Sequence, residues 1–186
     1  MPMRPGRCYS HITSQPYTRK EYIHGAPQPK ISKFTAGSPA VQGNYEVRVQ
    51  LISLERGQIR SNALESARLM ASKYLSTTVG DSNYFLVVRT YPHQVIRENK
   101  MMAFAGADRL QDGMRLSFGT PVGVAAVVDI GDAIIDVFGR ASDLDKIKEA
   151  LRRAASKIPH RTRIVIREMR GQGPTQKASQ GPSKAA

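Results

Sequence analysis

In YEVRVQLISL, residues 45–54, Val47, Val49 and Leu51 alternate with Arg48 and Gln50, the two-residue period of a strand with one face in a core and the other wet. The period then changes. In NALESARLMASKYLST, Ala63, Leu64, Ala67, Met70, Ala71, Tyr74 and Leu75 recur every three or four positions and predict one apolar stripe of a helix. Gly57 marks a turn ahead of it, and Ser61 is placed to cap it by accepting an orphan backbone N–H. YFLVVRTY, residues 84–91, is largely β-branched and aromatic and stops at Pro92, which suits a central strand buried on both faces.

Further along, VAAVVDI and AIIDVFG read as short apolar strands joined through Gly131-Asp132, the glycine-first pair of a type II′ hairpin. DLDKIKEALRRAASK returns to helical period, with Leu144, Ile147, Leu151, Ala154 and Ile158 facing inward, Ser142 as its cap and Asp145 completing a capping box. Pro159 ends that helix. TRIVIRE, residues 162–168, then sets Ile164 and Ile166 on one face and Arg163, Val165 and Arg167 on the other. This order predicts an α+β fold, a two-helix sandwich on a mainly antiparallel sheet, with a long internal loop and extended basic termini. Three regions follow: an extended basic arm over 1–44, a core over 45–168 interrupted by a loop at about 98–123, and a disordered basic tail over 169–186.

Charge sharpens the picture. The chain has 186 residues, with 28 Lys and Arg against 15 Asp and Glu, a formal net charge of +13. The excess sits at the ends: residues 1–60 hold nine basic and three acidic residues and 141–186 hold eleven and four, whereas 101–140 hold three and five. A polyanion is the natural partner. The arm is proline-rich, and its tyrosines alternate with bases, so it buries too little apolar surface to fold alone and is expected to order against nucleic acid. With no Trp and 6% aromatics, base stacking is poorly supplied, and phosphate contact has to carry the affinity. The contacts expected from this distribution are Arg4, Arg7, Tyr9, Arg19, Lys20, Lys30, Lys33, Arg60, Arg89, His93, Arg97, Lys100, Arg161 and Arg163. Lys148, Arg152, Arg153 and Lys157 fit a solvated helix face as well as they fit phosphate contact, because a helix C-terminal half favours cations by its dipole alone.

Other chemistry finds little support. Cys8 is the single cysteine, so no internal disulfide can form, and no paired Cys/His spacing suggests zinc; a reducing compartment is expected. Asp129, Asp132 and Asp136 would have to converge on one cation to act in nuclease chemistry, and their strand and turn positions argue against it. The four histidines lack HxH or HExxH spacing, no serine lies in a GxSxG elbow, and no GK[ST] follows the glycines at 119 and 123. An RNA-modifying enzyme would have to rely on His93 and Asp108, which nothing brings together. No enzyme activity, cofactor, metal or small-molecule substrate is expected. No apolar run approaches the ~18 residues of a bilayer span, and the opening residues lack a signal-peptide block, so a soluble cytoplasmic protein without membrane contact is expected.

The block ENKMMAFAGADRLQDGMRLSFGTPVGVAAVVDIGDAI, with PGRCY near the start, KYLSTTVG and VVRTYPHQVIRENK, resembles the ribosomal protein L-ten-e family, the archaeal and eukaryotic counterpart of bacterial L-sixteen. The resemblance spans about residues 4–168, and the full AGADRLQDGMR form looks archaeal or eukaryotic. It implies a structural constituent of the large ribosomal subunit, bound to large-subunit rRNA near the peptidyl transferase centre, with tRNA and neighbouring ribosomal proteins as further partners. The loop corresponding to about 99–117 is implied to project toward tRNA acceptor ends, which nominates Met101, Met102, Gly106, Asp108, Arg109, Gly113, Met114 and Arg115. A transient assembly or translation factor is the competing expectation. Deleting residues 102–114 is expected to leave a cooperative thermal unfolding transition with a nearly unchanged midpoint, since the flanking strands supply the core; loss of cooperativity would place the segment in that core.

Overall fold

The period-two pattern of residues 45–54 becomes a strand, Val47–Ser53, and the two helical patterns become helices, in a computed structural model that describes residues 5–9, 20–39, 45–99, 114 and 117–168. In chain order the elements are β1 Thr35–Gly37, β2 Val47–Ser53, β3 Gly57–Arg60, α1 Ser61–Thr78, β4 Phe85–Val88, β5 Gln94–Glu98, β6 Thr120–Val128, β7 Ala133–Gly139, α2 Leu144–Ala155 and β8 Thr162–Glu168. They form an antiparallel five-stranded sheet, order β1-β4-β7-β2-β8, and an antiparallel three-stranded sheet, order β3-β6-β5. The α+β class holds. One apolar cluster draws Leu51, Val137 and Leu86 from the larger sheet, Ile59 and Val128 from the smaller, Leu64 and Leu75 from α1, and Ile147 and Leu151 from α2.

The hairpin expected at Gly131-Asp132 does not form, because β6 and β7 belong to different sheets. The turn is real: Gly131 has φ +93°, the Asp132 N–H donates to the Asp129 carbonyl at 3.2 Å, and Asp132 Oδ2 accepts the Asp129 N–H at 2.9 Å. Its outer groups, however, bind the end of β2. Ser53 N–H donates to the Asp132 carbonyl and Gly131 N–H to the Ser53 carbonyl, both at 2.9 Å, so β7 runs back along β2 instead of β6. Gly57 likewise opens no turn; it is the first residue of β3, paired with Val128. Residues 120–123, expected in the loop, are the start of β6, with Pro121 opposite Arg97 where the β5 register shifts, a place in a sheet where proline costs no ladder bond.

Neither helix uses the expected cap. α1 starts directly from extended Arg60 with Ser61 already helical and buried, and α2 continues a 3-10 turn, Ala141–Asp143, in which Ser142 Oγ donates to the Asp143 carboxylate instead of accepting a backbone N–H. The α1 stripe is also rotated by about one position: Met70 is 39% exposed, and Arg68 is buried in its place. Arg68 survives burial because Glu65 receives its Nη2 at 2.7 Å and Nε at 3.0 Å, while Ser32 bridges both side chains.

That bridge matters for the chain's first third. With Ile31 in the core, Phe34 stacked on Tyr91 at 5.5 Å and β1 paired with β4, residues 31–37 pack on the body although they fall within the expected arm. The hydrogen bond from Arg68 holds the Glu65 carboxyl below its ordinary pKa, with Ser32 adding to the effect against burial. A depressed folded-state pKa means that the contribution is complete above the ordinary glutamate value and fades as pH falls through the folded-state value. The acid limb of a stability-versus-pH curve should therefore flatten in Glu65→Gln, as urea unfolding at stepped pH would measure.

Candidate nucleic-acid interface

Strand alternation decides what the larger sheet shows on the side away from its helices. Val49, Leu51, Ile135, Val137, Leu86 and Val88 enter the core, which turns Arg48, Gln50, Asp136, Phe138, Phe85 and Val87 to the opposite face. The β2–β8 register adds Arg163, Val165 and Arg167, the partners of Ile52, Gln50 and Arg48. Asp136, fully buried, is the organising acid. Its Oδ2 accepts from Arg48 Nη2 at 2.6 Å and from Arg89 Nε at 2.7 Å, and its Oδ1 accepts from Gln50 Nε2 at 2.9 Å. The Arg48 guanidinium also lies 5.6 Å from the centroid of the Phe138 ring. One carboxylate therefore fixes two guanidiniums, whose side chains keep 25% and 45% exposure, and the group stays net positive. Arg163 and Arg167 are exposed and make no ion pair among the described residues.

A second basic group surrounds the start of α1. Arg60 lies over the Tyr9 ring at 5.8 Å, which brings the PGRCY segment against the body. On one side Arg60 shares a small cleft with Lys30 and Asn62; on the other it borders a cavity of about 210 Å³ with Gly6, Ser156 and Lys157. Lys30 and Lys33 are exposed, and Lys20 lies in a single 3-10 turn, Lys20–Tyr22.

The base of the long loop is clamped. Arg97 Nη1 donates to the Phe118 carbonyl at 2.7 Å with its guanidinium 3.5 Å from the Phe118 ring centroid, and Thr120 Oγ1 donates to the Glu98 carbonyl at 3.3 Å. Gly119 sits at φ +74°, and a Cβ there would lie 2.8 Å from the Glu98 carbonyl carbon, so this approach of the two strand ends needs glycine. Arg97, expected as a phosphate ligand, thus spends part of its donor set within the fold. Met114 is 94% exposed. Arg4, Arg19, Lys100, Met101, Met102, Gly106, Asp108, Arg109, Gly113 and Arg115 lie outside the described residues, as does the 169–186 tail.

On α2, Lys146 pairs with Asp143, Lys148 with Asp145, and both Arg152 and Arg153 with Glu149, whose carboxyl is held low chiefly by Arg153; Arg153 also covers the Tyr74 ring at 4.0 Å. Three acids thus meet four cations within one turn, which favours the solvated-face reading over phosphate contact. Arg161 pairs with Glu55 at 3.5 Å, and the exposed His93 has Nδ1 3.0 Å from the Tyr91 carbonyl. The three aspartates are engaged by other groups, Asp129 by Arg56, Asp132 by the Asp129 N–H and Asp136 by Arg48 and Arg89, and no group of three or more acids, histidines or cysteines suited to a metal occurs among the described residues. No described helix is long and apolar enough to cross a membrane. The sequence reading overlooked Arg48, Arg167 and the role of Asp136. A lone acid inside the apolar run AIIDVFG was the signal, since a buried carboxylate demands cationic or donor partners.

Residues 12–165 match the family model described as ribosomal protein L16p/L10e. The chain is 60% identical over 170 residues to the large ribosomal subunit protein uL16 of Staphylothermus marinus, covering 91% of this chain and 97% of that one. Similar relatives of the same name come from Hyperthermus butylicus, 59% identical over 89% of this chain and 94% of the relative, and Thermofilum pendens, 56% over 90% and 99%.

Asp136→Ala would strip two guanidiniums and Gln50 of their shared acceptor. It should lower the unfolding free energy by roughly 2–4 kcal/mol, somewhat below the range for a fully buried pair because both arginines reach solvent, seen as a reduced urea midpoint at constant m.

Proposed function

The chain belongs to the ribosomal protein L16p/L10e family, and from that premise we propose that it binds large-subunit rRNA near the peptidyl transferase centre and helps shape the A-site tRNA path. Its role in the large ribosomal subunit is structural, without an enzymatic step. The observation that carries the reading is similarity over about nine-tenths of the chain, at 60% identity, to a relative named as a large-subunit protein. Physical features agree with it. A net charge of +13 far exceeds what solubility of a small domain asks for, and part of it is gathered on one sheet face, at Arg48, Arg89, Arg163 and Arg167, and around Arg60.

The excursion between β5 and β6 is the segment we assign to the tRNA side. Its two ends are drawn together by the Arg97–Phe118 clamp and Gly119, so a rigid base carries the family motif AGADRLQDGMR. Arginine pairs well with phosphate, and methionine adapts to an irregular groove, which suits Met101, Met102, Arg109, Met114 and Arg115 to that task.

Sedimentation checks the proposal. Ribosomes carrying the tagged chain, washed at high salt and resolved on a gradient, should keep it at one copy per large subunit; departure into the soluble fraction would mark a transient factor instead. Photo-cross-linking from positions 109 and 115 in the same particles should label the acceptor end of A-site tRNA.

A further inference from the structure

Arg48 and Arg167 stand directly opposite each other on β2 and β8. Like charges in that position destabilise a sheet unless something of opposite sign lies over them. Asp136 meets only part of that need, since its Oδ2 is already shared between Arg48 and Arg89. β8 is the edge strand, and Arg163 and Arg167, four residues apart on the same face, sit about 13 Å from each other at the rise of an extended chain.

We infer that the outer face of the five-stranded sheet is a phosphate-binding surface for the sugar-phosphate backbone of rRNA. In it Arg48, Arg89, Arg163 and Arg167 contact phosphates, and Asp136 is the positioning residue for the first two. The inference rests on the rRNA-binding reading above and names the surface that does the binding. Four observations carry it. The guanidiniums of Arg48 and Arg89 are held by a fully buried acid, so their ordering cost is met within the fold before RNA arrives. Arg48 is held a second time by the Phe138 ring. The aromatic side chains beneath, Tyr45, Phe85 and Phe138, are 3–5% exposed, so apart from the half-buried Val87 and Val165 the face offers charge in place of the broad apolar centre that a protein partner would seek. The in-register arginines, finally, are a strain that a bound phosphate relieves. Charged residues on an edge strand also discourage sheet-to-sheet aggregation, but that role does not account for the surplus positive charge held on the inner strands at Arg48 and Arg89.

The test titrates the full chain with protein-free large-subunit rRNA across a range of salt concentrations. Asp136→Asn adds a unit of positive charge, so bulk electrostatics alone predicts tighter binding. Positioning predicts the opposite: affinity weaker by several-fold and a shallower slope of log affinity against log salt, by up to two contacts at about 0.7–0.9 each. Asp129→Asn adds the same charge at the turn and should not weaken binding. Because Asp136→Asn also loosens the fold, the double variant Arg163→Gln, Arg167→Gln provides an arm at exposed positions. It should melt no lower than the parent, since the like-charge opposition of Arg48 and Arg167 is removed, and lose about 1.4–1.8 of slope. Undiminished affinity in Asp136→Asn, or an unchanged slope in the double variant, would overturn the assignment of this face. If the parent chain itself fails to bind the rRNA, the fault lies with the large-subunit reading and the inference falls with it.

Discussion

A carboxylate with no exposure to water, in the middle of an apolar strand, is the constraint from which much of this molecule follows. Asp136 can be tolerated on β7 only if cationic or amide donors reach it, and Arg48, Arg89 and Gln50 do so from β2 and from the end of β4. The three strands that meet at this acid are the centre of the larger sheet, which ties their register to one electrostatic requirement as well as to core packing. The same acid orders two guanidiniums without neutralising them both. An interaction that stabilises the sheet thereby leaves a surplus of fixed positive charge on its outer side.

The remaining cations divide by how their charge is met. On α2 four cations share three acids one turn away, so most of that charge is met within the helix. Arg68 is consumed by Glu65 and Ser32, and its task is to dock residues 31–37 against α1. Arg97 is turned to the Phe118 carbonyl and ring, closing the loop's base. Counting basic residues along the chain cannot separate these groups; geometry can. Among the described residues, cations left without an acid include Arg163 and Arg167 beside the Asp136 cluster and Lys30 and Lys33 near the start of α1, and there a polyanion has something to gain.

Much of the architecture was legible because the long elements have strong periods. β2, β8, both helices and the interior strand Phe85–Val88 stand where alternation and helical spacing put them. The short strands were not legible: TAG, GQIR and QVIRE are too brief to show a period, and they exist because β4, β6 and their neighbours supply the pairing. The partition into two sheets was hidden for a related reason. Gly131-Asp132 has the chemistry of a hairpin turn, yet Ser53, far away in sequence, claims its backbone groups. Local turn preference lost to a long-range ladder. Of the interface, the family motif pointed to the loop, whereas Arg48 and Arg167 were invisible as a pair until the β2–β8 register set them side by side.

On the proposed reading, a sheet held by one buried acid offers fixed guanidiniums to rRNA, while Arg97 and Phe118 clamp the base of the β5–β6 connection in the second sheet. A high-resolution structure of the large subunit containing this chain tests that claim most directly. The account predicts phosphate oxygens within hydrogen-bonding distance of Arg48 and Arg167, with Asp136 still bonded to Arg48 and Arg89. An outer sheet face lying open to solvent, or covered by another protein, would contradict it.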